Sequence, residues 1–125
     1  MQNDFGYGSV DIHGDYAGRA YEIYNCTFLD STAGWNRDAI WWRAGGGVVF
    51  NNTVSDYDLF LALTNENSDP RYYTKDVWIW NNNLASGVNF VSSSGPVRDV
   101  DYFLHAPYTF NYEPYSYPHP LTLEP

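Results

Sequence analysis

The sequence predicts an all-β fold: a right-handed parallel β-helix of about four to five coils, closed by an irregular Tyr/Pro-rich C-terminal cap. Three observations predict it. A short pattern of apolar and polar residues occurs three times, Asn occupies the same place in every copy, and no segment has the roughly 3.6-residue apolar period of a long helix. We expect one domain over residues 1–125, with coils in residues 1–104 and a capping tail in residues 105–125.

The repeated pattern consists of an apolar or aromatic triplet, with Glu22 as the one exception in the first copy, a triplet that begins with Asn, and one further apolar residue. Its copies occupy residues 22–28, 48–54 and 78–84. The step from one Asn to the next is 26 residues and then 30 residues, which suits one coil with loops of variable size. The copies therefore indicate stacked coils.

Within each copy, the pattern predicts a strand, a sharp bend and a second strand. The expected equivalent residues are Ile23, Val49 and Ile79 in the first strand, and Phe28, Val54 and Leu84 in the second. Asn tolerates the left-handed backbone of such a bend, and its amide can bond to its counterpart one coil away. The predicted ladder consists of Asn25, Asn51 and Asn81, with Cys26, Asn52 and Asn82 as the alternative register.

Further strands and loops are predicted between the copies. Strands are expected at residues 39–43, 59–63 and 88–92, and a first, incomplete coil at residues 9–13. Polar loops that project from the stack are expected at residues 31–36, 64–75 and 93–99. The glycine triplet at residues 45–47 is interpreted as a tight turn between coils.

The C-terminal tail differs abruptly in composition, since five of the seven prolines and four tyrosines fall in residues 105–125. Proline donates no backbone hydrogen bond, so this segment cannot continue the sheets. The aromatic side chains expected to lie over the last coil are Tyr108, Phe110, Tyr112, Tyr115 and Tyr117. Residues 1–8 offer no comparable cover, so we expect a closed C-terminal end and an open N-terminal end.

Composition and charge restrict the partners. The 15 acidic and 6 basic residues give a net charge of -9, which repels phosphate backbones, so nucleic acid is not expected as a partner. The longest apolar runs fall far short of the roughly 20 residues that cross a bilayer, so no membrane partner is expected either. Cys26 is the only cysteine, which rules out an internal disulfide, and we expect it to pack as a small apolar side chain.

Segments 40–54, 77–84, 101–104 and 115–121 resemble the C-terminal part of right-handed parallel β-helix repeat proteins of the pectate-lyase-like superfamily. The resemblance implies an extracellular or cell-surface protein. Many members bind, cleave or epimerise polysaccharides, and others are structural parts of adhesins and phage tails. The calcium-binding carboxylate cluster of the pectate lyases and the three aspartates of the polygalacturonases have no match here, so no catalytic residue is assigned.

The candidate ligand site consists of Trp41, Trp42, Arg43, Trp78 and Trp80. Strand alternation is expected to send one tryptophan of each pair inward and one outward, and the outward ones could form an aromatic surface for a glycan chain. Arg43 could bind a uronate carboxylate through two parallel hydrogen bonds. The alternatives are ordinary packing of the aromatic rings and, for Arg43, an ion pair with an aspartate such as Asp38.

Cofactors are not expected, with calcium as the one alternative. The pairs Asp56/Asp58 and Asp99/Asp101 each place two carboxylates on one side of extended backbone, but calcium takes about six to eight oxygen ligands, so solvated turns are favoured. His13, His105 and His119 lack metal-ligand spacing. The glycosylation sequons at residues 25–27 and 51–53 fall in the bend expected to be buried, so modification is not expected.

The resulting hypothesis is a non-catalytic β-helix module of a secreted or surface protein that associates with polysaccharide. One alternative is a structural subunit that stacks through its open N-terminal coil on another copy of itself, as an oligomer or a filament. A second alternative is the C-terminal part of a polysaccharide lyase or glycoside hydrolase whose active site lies upstream.

Overall fold

The structure, a computed structural model of the chain, describes residues 20–29, 38–66, 68–107 and 112–118. These residues contain ten β-strands, one short 3₁₀ helix (Pro70–Tyr72) and no α-helix, so the fold is mostly β. In this part of the chain, no helix is long and apolar enough to cross a membrane.

The strands pair into three sheets, and every pair of neighbouring strands is parallel. In chain order the strands are β1 (Ala20–Tyr24), β2 (Thr27–Leu29), β3 (Asp38–Trp42), β4 (Gly45–Phe50), β5 (Thr53–Ser55), β6 (Leu59–Thr64), β7 (Thr74–Trp80), β8 (Asn83–Leu84), β9 (Asn89–Ser94) and β10 (Tyr102–Phe103). Sheet A has the order β3-β6-β9, sheet B the order β1-β4-β7-β10, and sheet C the order β2-β5-β8.

Three consecutive strands supply one strand to each sheet, which defines three strand triplets: β1–β3, β4–β6 and β7–β9. Parallel neighbours cannot be joined by a hairpin, so the chain passes through the other two sheets before it returns to the first. The described residues thus contain three complete triplets and β10, where about four to five coils were expected. The coil expected at residues 9–13, the loop expected at residues 31–36, and His119 lie outside the described residues.

The register between triplets is the one that the repeat predicts. The paired residues are Ile23–Val49–Ile79 in sheet B and Phe28–Val54–Leu84 in sheet C. The strands expected between the copies are also present, as β3, β6 and β9, with ends within two residues of the prediction. Repeat, strand and register predictions are therefore confirmed for the described residues.

The core takes apolar side chains from all three sheets. The apolar positions of the repeat are paired in register from triplet to triplet, so they become a continuous buried row. The buried cluster contains Ile23, Phe28, Ala39, Ile40, Trp42, Val49, Val54, Tyr57, Phe60, Leu61, Leu63, Val77 and Ile79. One core therefore serves the described triplets.

The glycine triplet belongs to strand β4 and is not the tight turn that we expected. β4 is an inner strand of sheet B, with neighbouring backbone on both sides. A Cβ atom on Gly47 would collide with the backbone of Tyr21 in β1. A Cβ atom on Gly46 would collide with the backbone of β7 on the other side. The glycines therefore allow three strands to approach one another closely.

The bend between the first two strands of each triplet has the backbone conformation that the repeat predicts. Asn25, Asn51 and Asn81 have φ values of 55°, 54° and 52°, in the left-handed region that Asn tolerates. All three residues are exposed. The expectation that the sequons at residues 25–27 and 51–53 have buried asparagines is therefore wrong.

The side-chain ladder lies one residue further along, in the alternative register. Asn52 is 1% exposed, and its Oδ1 accepts a hydrogen bond from the Cys26 N–H at 2.9 Å. Asn82 Oδ1 accepts bonds from the backbone N–H of Asn52 at 3.1 Å and from its Nδ2 at 3.0 Å. Each amide also donates to the preceding triplet at 3.1 Å, Asn52 to Ile23 O and Asn82 to Val49 O.

The first register is wrong because the bend and the ladder require neighbouring residues. The left-handed residue turns the chain and lies at the surface, so the residue after it carries the inward side chain. In the first triplet this inward position is occupied by Cys26, which packs against the core and donates its Sγ–H to Tyr24 O at 3.3 Å. The ladder thus begins at a side chain that has no amide.

Replacing Asn52 by Ala should lower the free energy of unfolding by about 2 to 6 kcal/mol. The change leaves the Cys26 N–H and the Ile23 carbonyl without this partner, and each such loss costs about 1 to 3 kcal/mol. Asn51→Gly is the matched control, because it keeps the left-handed bend and alters only an exposed side chain. Urea unfolding measures both variants, and an equal loss in the two would rule out the ladder at Asn52.

Candidate functional site

The five residues of the predicted ligand site do not lie on one surface. Trp41 and Trp42 belong to β3 of sheet A, and Arg43 follows them directly. Trp78 and Trp80 belong to β7 of sheet B. The structure therefore divides the predicted site into two groups with different surroundings.

Trp42 is a core residue. Its side chain is 0% exposed, and its ring packs edge-on against Tyr21 with ring centroids 5.3 Å apart. Its Nε1 donates to the carbonyl oxygen of Gly45 at 3.1 Å, which satisfies the one polar group of the side chain. Alternation along β3 sends Trp41 to the other side of the sheet, as predicted.

Trp41 and Arg43 contact each other on the outer side of sheet A. The Arg43 guanidinium lies over the Trp41 ring, with Cζ 4.0 Å from the ring centroid. Arg43 Nε is 3.5 Å from Glu66 Oε1, so the described carboxylate partner is Glu66 and not the expected Asp38. Arg43 is only 4% exposed. Its guanidinium is therefore covered by protein, which does not favour a direct contact with a uronate.

Trp78 and Trp80 lie on the same side of sheet B, and not on opposite sides as expected. They are two positions apart in β7, and a strand alternates at every residue. The inward positions accordingly belong to Val77 and Ile79, which are both 0% exposed. The expectation of one inward and one outward tryptophan holds for the adjacent pair in β3 and is wrong for β7.

The outer face of sheet B carries two rows of stacked aromatic rings. In the longer row, Tyr24 stacks on Phe50 with centroids 5.1 Å apart and an interplanar angle of 10°. Phe50 stacks in turn on Trp80 at 4.5 Å and 1°. The second row consists of Trp78 and Phe103, with centroids 4.1 Å apart. Parallel pairing places these equivalent rings directly beside one another.

The ring faces in both rows are turned toward neighbouring rings. Sugar rings pack on aromatic faces, and the faces of Phe50 are occupied on both sides. His105 also covers the second row edge-on, with its centroid 5.4 Å from Trp78 and 5.8 Å from Phe103. Ligand binding by the β7 tryptophans stays a prediction, and their stacked faces favour the packing alternative.

The tail segment, residues 112–118, contacts this same face of sheet B. Tyr112 packs edge-on against Phe50 and Trp80, with ring centroids 5.8 and 6.0 Å away. Its hydroxyl donates a hydrogen bond to the carboxylate of Glu22 in β1. The backbone N–H of Tyr115 donates to the same carboxylate at 3.1 Å. The tail segment is therefore held on β1, β4 and β7.

This position differs from the one that we expected, over the last coil. Tyr112 and Tyr115 contact the first strand of the described chain, along the side of the stack. Tyr117 is 98% exposed, so it covers no apolar surface. Tyr108 and Phe110 lie outside the described residues. The tail segment instead packs along the aromatic row, through the contacts of Tyr112 with Phe50 and Trp80.

The predicted carboxylate pairs lie in or beside turns. Asp56 and Asp99 both have a φ of 63°, which is typical of tight turns. Burial and the negative charge of Asp58 raise the pKa of Asp38 above its ordinary value. Across the described ranges, no three His, Cys, Asp or Glu side chains lie close enough together to hold a metal ion. Calcium binding stays a prediction without a described ligand set.

Strand β9 carries exposed residues that the sequence reasoning did not single out. We name its exposed residues Phe90, Ser92 and Ser94 the β9 surface. Phe90 is 37% exposed and stacks on Phe60 with centroids 6.2 Å apart. The signal that could have found it is the absence of charge, since residues 77–97 contain no Asp, Glu, Lys or Arg.

Comparison of the chain with protein-family models, with curated proteins and with solved structures finds no match. The class of protein therefore rests on the parallel sheets and on the residues described above.

Tyr112→Phe should lower the thermal midpoint at neutral pH, because Glu22 loses a hydroxyl donor. Burial and the Glu22 carboxylate raise the pKa of Tyr112, whereas the unfolded chain ionises near the usual value of about 10. The contribution is therefore complete below about pH 10 and is lost as the pH rises toward the raised pKa. The midpoints of wild type and variant should converge above about pH 10. A constant difference, or an equal effect of Tyr117→Phe, would contradict the contact.

Proposed function

We propose that this chain is a non-catalytic module of a right-handed parallel β-helix, part of an extracellular or cell-surface protein and associated with polysaccharide. Three parallel sheets that each receive one strand per triplet support the β-helix, as does the in-register pairing of the repeats. The Asn52–Asn82 ladder supports it further, since equivalent amides meet one coil apart. Right-handedness follows the general preference of connections between parallel strands of one sheet.

The extracellular or surface location and the choice of polysaccharide rest on the resemblance to the pectate-lyase-like superfamily. The second alternative, a C-terminal part of a lyase or hydrolase with an upstream active site, rests on the same resemblance. Neither depends on a catalytic group in the described residues, and no reaction is part of the proposal.

The observation that carries polysaccharide association is the β9 surface. The aromatic row on sheet B lies under the tail segment, and Trp42 and Arg43 are buried, which leaves the β9 surface as the more open candidate. It combines the exposed part of the Phe90 ring with the hydroxyl groups of Ser92 and Ser94. An aromatic ring beside hydroxyl groups suits a sugar, which has an apolar C–H face and hydrogen-bonding edges.

Charge determines which glycans suit this surface. The strand β9 has no charged side chain, whereas the whole chain carries -9. A polyuronate would be repelled by the surrounding acidic surface unless a divalent cation screened it. Neutral glycans have no such restriction, so we propose a neutral polysaccharide as the ligand.

Phe90→Ala should weaken binding to neutral polysaccharides by about fivefold, because an aromatic contact of this kind contributes roughly 0.5 to 1.5 kcal/mol. Depletion assays with insoluble cellulose, xylan and chitin measure it, with Tyr117→Ala as the control for loss of an exposed ring elsewhere. Pectate with and without calcium tests the charge argument. Wild type that binds none of the neutral glycans, or Phe90→Ala that binds as well as wild type, would contradict the proposal.

The alternative of a structural subunit is supported at the C-terminal end of the described stack, where apolar side chains are only half-buried. In the first described triplet, Phe28 is 6% and Ile40 is 0% exposed, so the core of this triplet is covered. In the third triplet, Leu84 and Val91 are only half-buried. The burial is therefore compatible with association through the C-terminal end of the described stack, and the open N-terminal coil that we expected in residues 1–13 lies outside the described residues.

A further inference from the structure

The two glycosylation sequons of the chain lie on neighbouring bends between sheet B and sheet C. A sequon consists of Asn, any residue except proline, and then Ser or Thr. The two copies occupy residues 25–27 and 51–53. Burial of their asparagines would argue against modification, but both asparagines are exposed. The structure therefore removes the reason for which modification was not expected.

The bend turns the three residues of a sequon in different directions. Asn51 has a left-handed backbone and is exposed, whereas the next residue, Asn52, is only 1% exposed and carries the ladder. Thr53 is exposed again. In the other sequon, the first and third residues are likewise exposed. The two side chains that define a sequon thus lie at the surface, while the middle residue faces the core.

The fold makes no use of the amides that a glycan would modify. Within the described residues, the side chains of Asn25 and Asn51 make no hydrogen bond. The amides of Asn52 and Asn82, in contrast, bond to neighbouring triplets. A glycan is bulky and hydrated, so it requires an acceptor at the surface. The folded protein can therefore carry a glycan at the bend and keep every bond of the ladder.

We propose that Asn25 and Asn51 are acceptors of N-linked glycans, supplied by a lipid-linked oligosaccharide donor and transferred by an oligosaccharyltransferase. The amide nitrogen Nδ2 forms a bond to C1 of the first sugar and loses one proton. The bond between that carbon and the diphosphate oxygen of the donor breaks, and the lipid diphosphate leaves. This inference rests on the extracellular or surface location in the proposed function, and it does not depend on polysaccharide binding.

The third bend of the stack is an internal comparison. Asn81 has a φ of 52° and is exposed, as the other two bend residues are. Thr53 pairs in register with Asn83, so the third bend has Asn where a sequon requires Ser or Thr. The geometry of the bend is therefore retained, and the sequon is incomplete by one residue. We expect no glycan at Asn81.

The two glycans should lie next to each other on the molecule. The residues that precede the acceptors, Tyr24 and Phe50, are paired in register in sheet B. Neighbouring strands are about 4.8 Å apart, so the acceptors lie on adjacent triplets at the same corner of the stack. The β9 surface belongs to sheet A and to the third triplet, which makes it a separate surface.

Mapping of the modified residues in the full chain tests the proposal. The chain is expressed in cultured animal cells behind a cleavable secretion signal, and peptide-N-glycosidase in heavy-oxygen water then converts each glycosylated Asn into labelled Asp. Mass spectrometry should find the label at positions 25 and 51 and an unmodified Asn81. Protein retained inside the cells is mapped in the same way. Absence of a glycan from both sequons would overturn the proposal, and absence from one would overturn the assignment of that residue.

Substitutions at the third residue of each sequon test the role of the motif and leave the acceptors in place. Thr53→Ala should remove one glycan, whereas Thr53→Ser keeps the hydroxyl group and should retain it. Asn83→Thr completes the third sequon and should add a glycan at Asn81, because the bend there has the same geometry. A glycan that persists in Thr53→Ala, or a completed third sequon that stays unmodified, would contradict the proposal.

Two further measurements separate the sites from the rest of the account. The added signal delivers the chain to the secretory pathway whatever its native location, so a missing glycan reports on the sites and not on the location. Depletion assays on polysaccharides report on the proposed function independently. The far-ultraviolet circular dichroism of the glycosylated protein should match that of unglycosylated protein made in bacteria. Loss of the β-sheet signal in the glycosylated protein alone would overturn the inference that the fold accommodates these glycans.

Discussion

The sharp bend after β1, β4 and β7 is the constraint on which the rest of the architecture depends. An Asn with a left-handed backbone turns the chain from sheet B into sheet C, and the next residue then carries an inward side chain. In two triplets that residue is an Asn, whose amide is tolerated inside because its groups bond to the adjacent triplets. A slip by one residue would place an unsatisfied amide in the core, so the ladder determines the register of all three sheets.

Much of the fold could be predicted from the repeat, because apolar residues at Ile23, Val49 and Ile79 require equivalent buried places. The errors share a physical cause, which is that sequence alone does not say which side of a strand or bend a residue occupies. The repeat favours Asn51 for the ladder because the backbone requirement lies there, whereas the structure has the ladder in the alternative register, at Asn52. A glycine triplet is typical of a turn, but close approach of β1 to β4 also requires glycine.

The candidate site was less predictable than the fold. Aromatic residues in a stacked parallel fold pack on one another for the same reason that they attract sugars, so composition cannot separate the two roles. On sheet B, the tail segment covers part of the aromatic row. Tyr112 packs on this row, and its hydroxyl donates a hydrogen bond to Glu22. A contact between the end of the chain and its first described strand has no local sequence signal. The candidate surface that stays open is the uncharged β9 surface, on which the proposed polysaccharide association rests.

The central claim is that three strand triplets stack in parallel, in the register set by the bends. Nuclear Overhauser contacts between backbone protons of Thr27 and Thr53, and of Thr53 and Asn83, test it most directly, since each pair is in register on sheet C. The account predicts both contacts together, at the strand spacing of about 4.8 Å. Contacts with a shifted partner, or the pattern of an antiparallel pair, would contradict it.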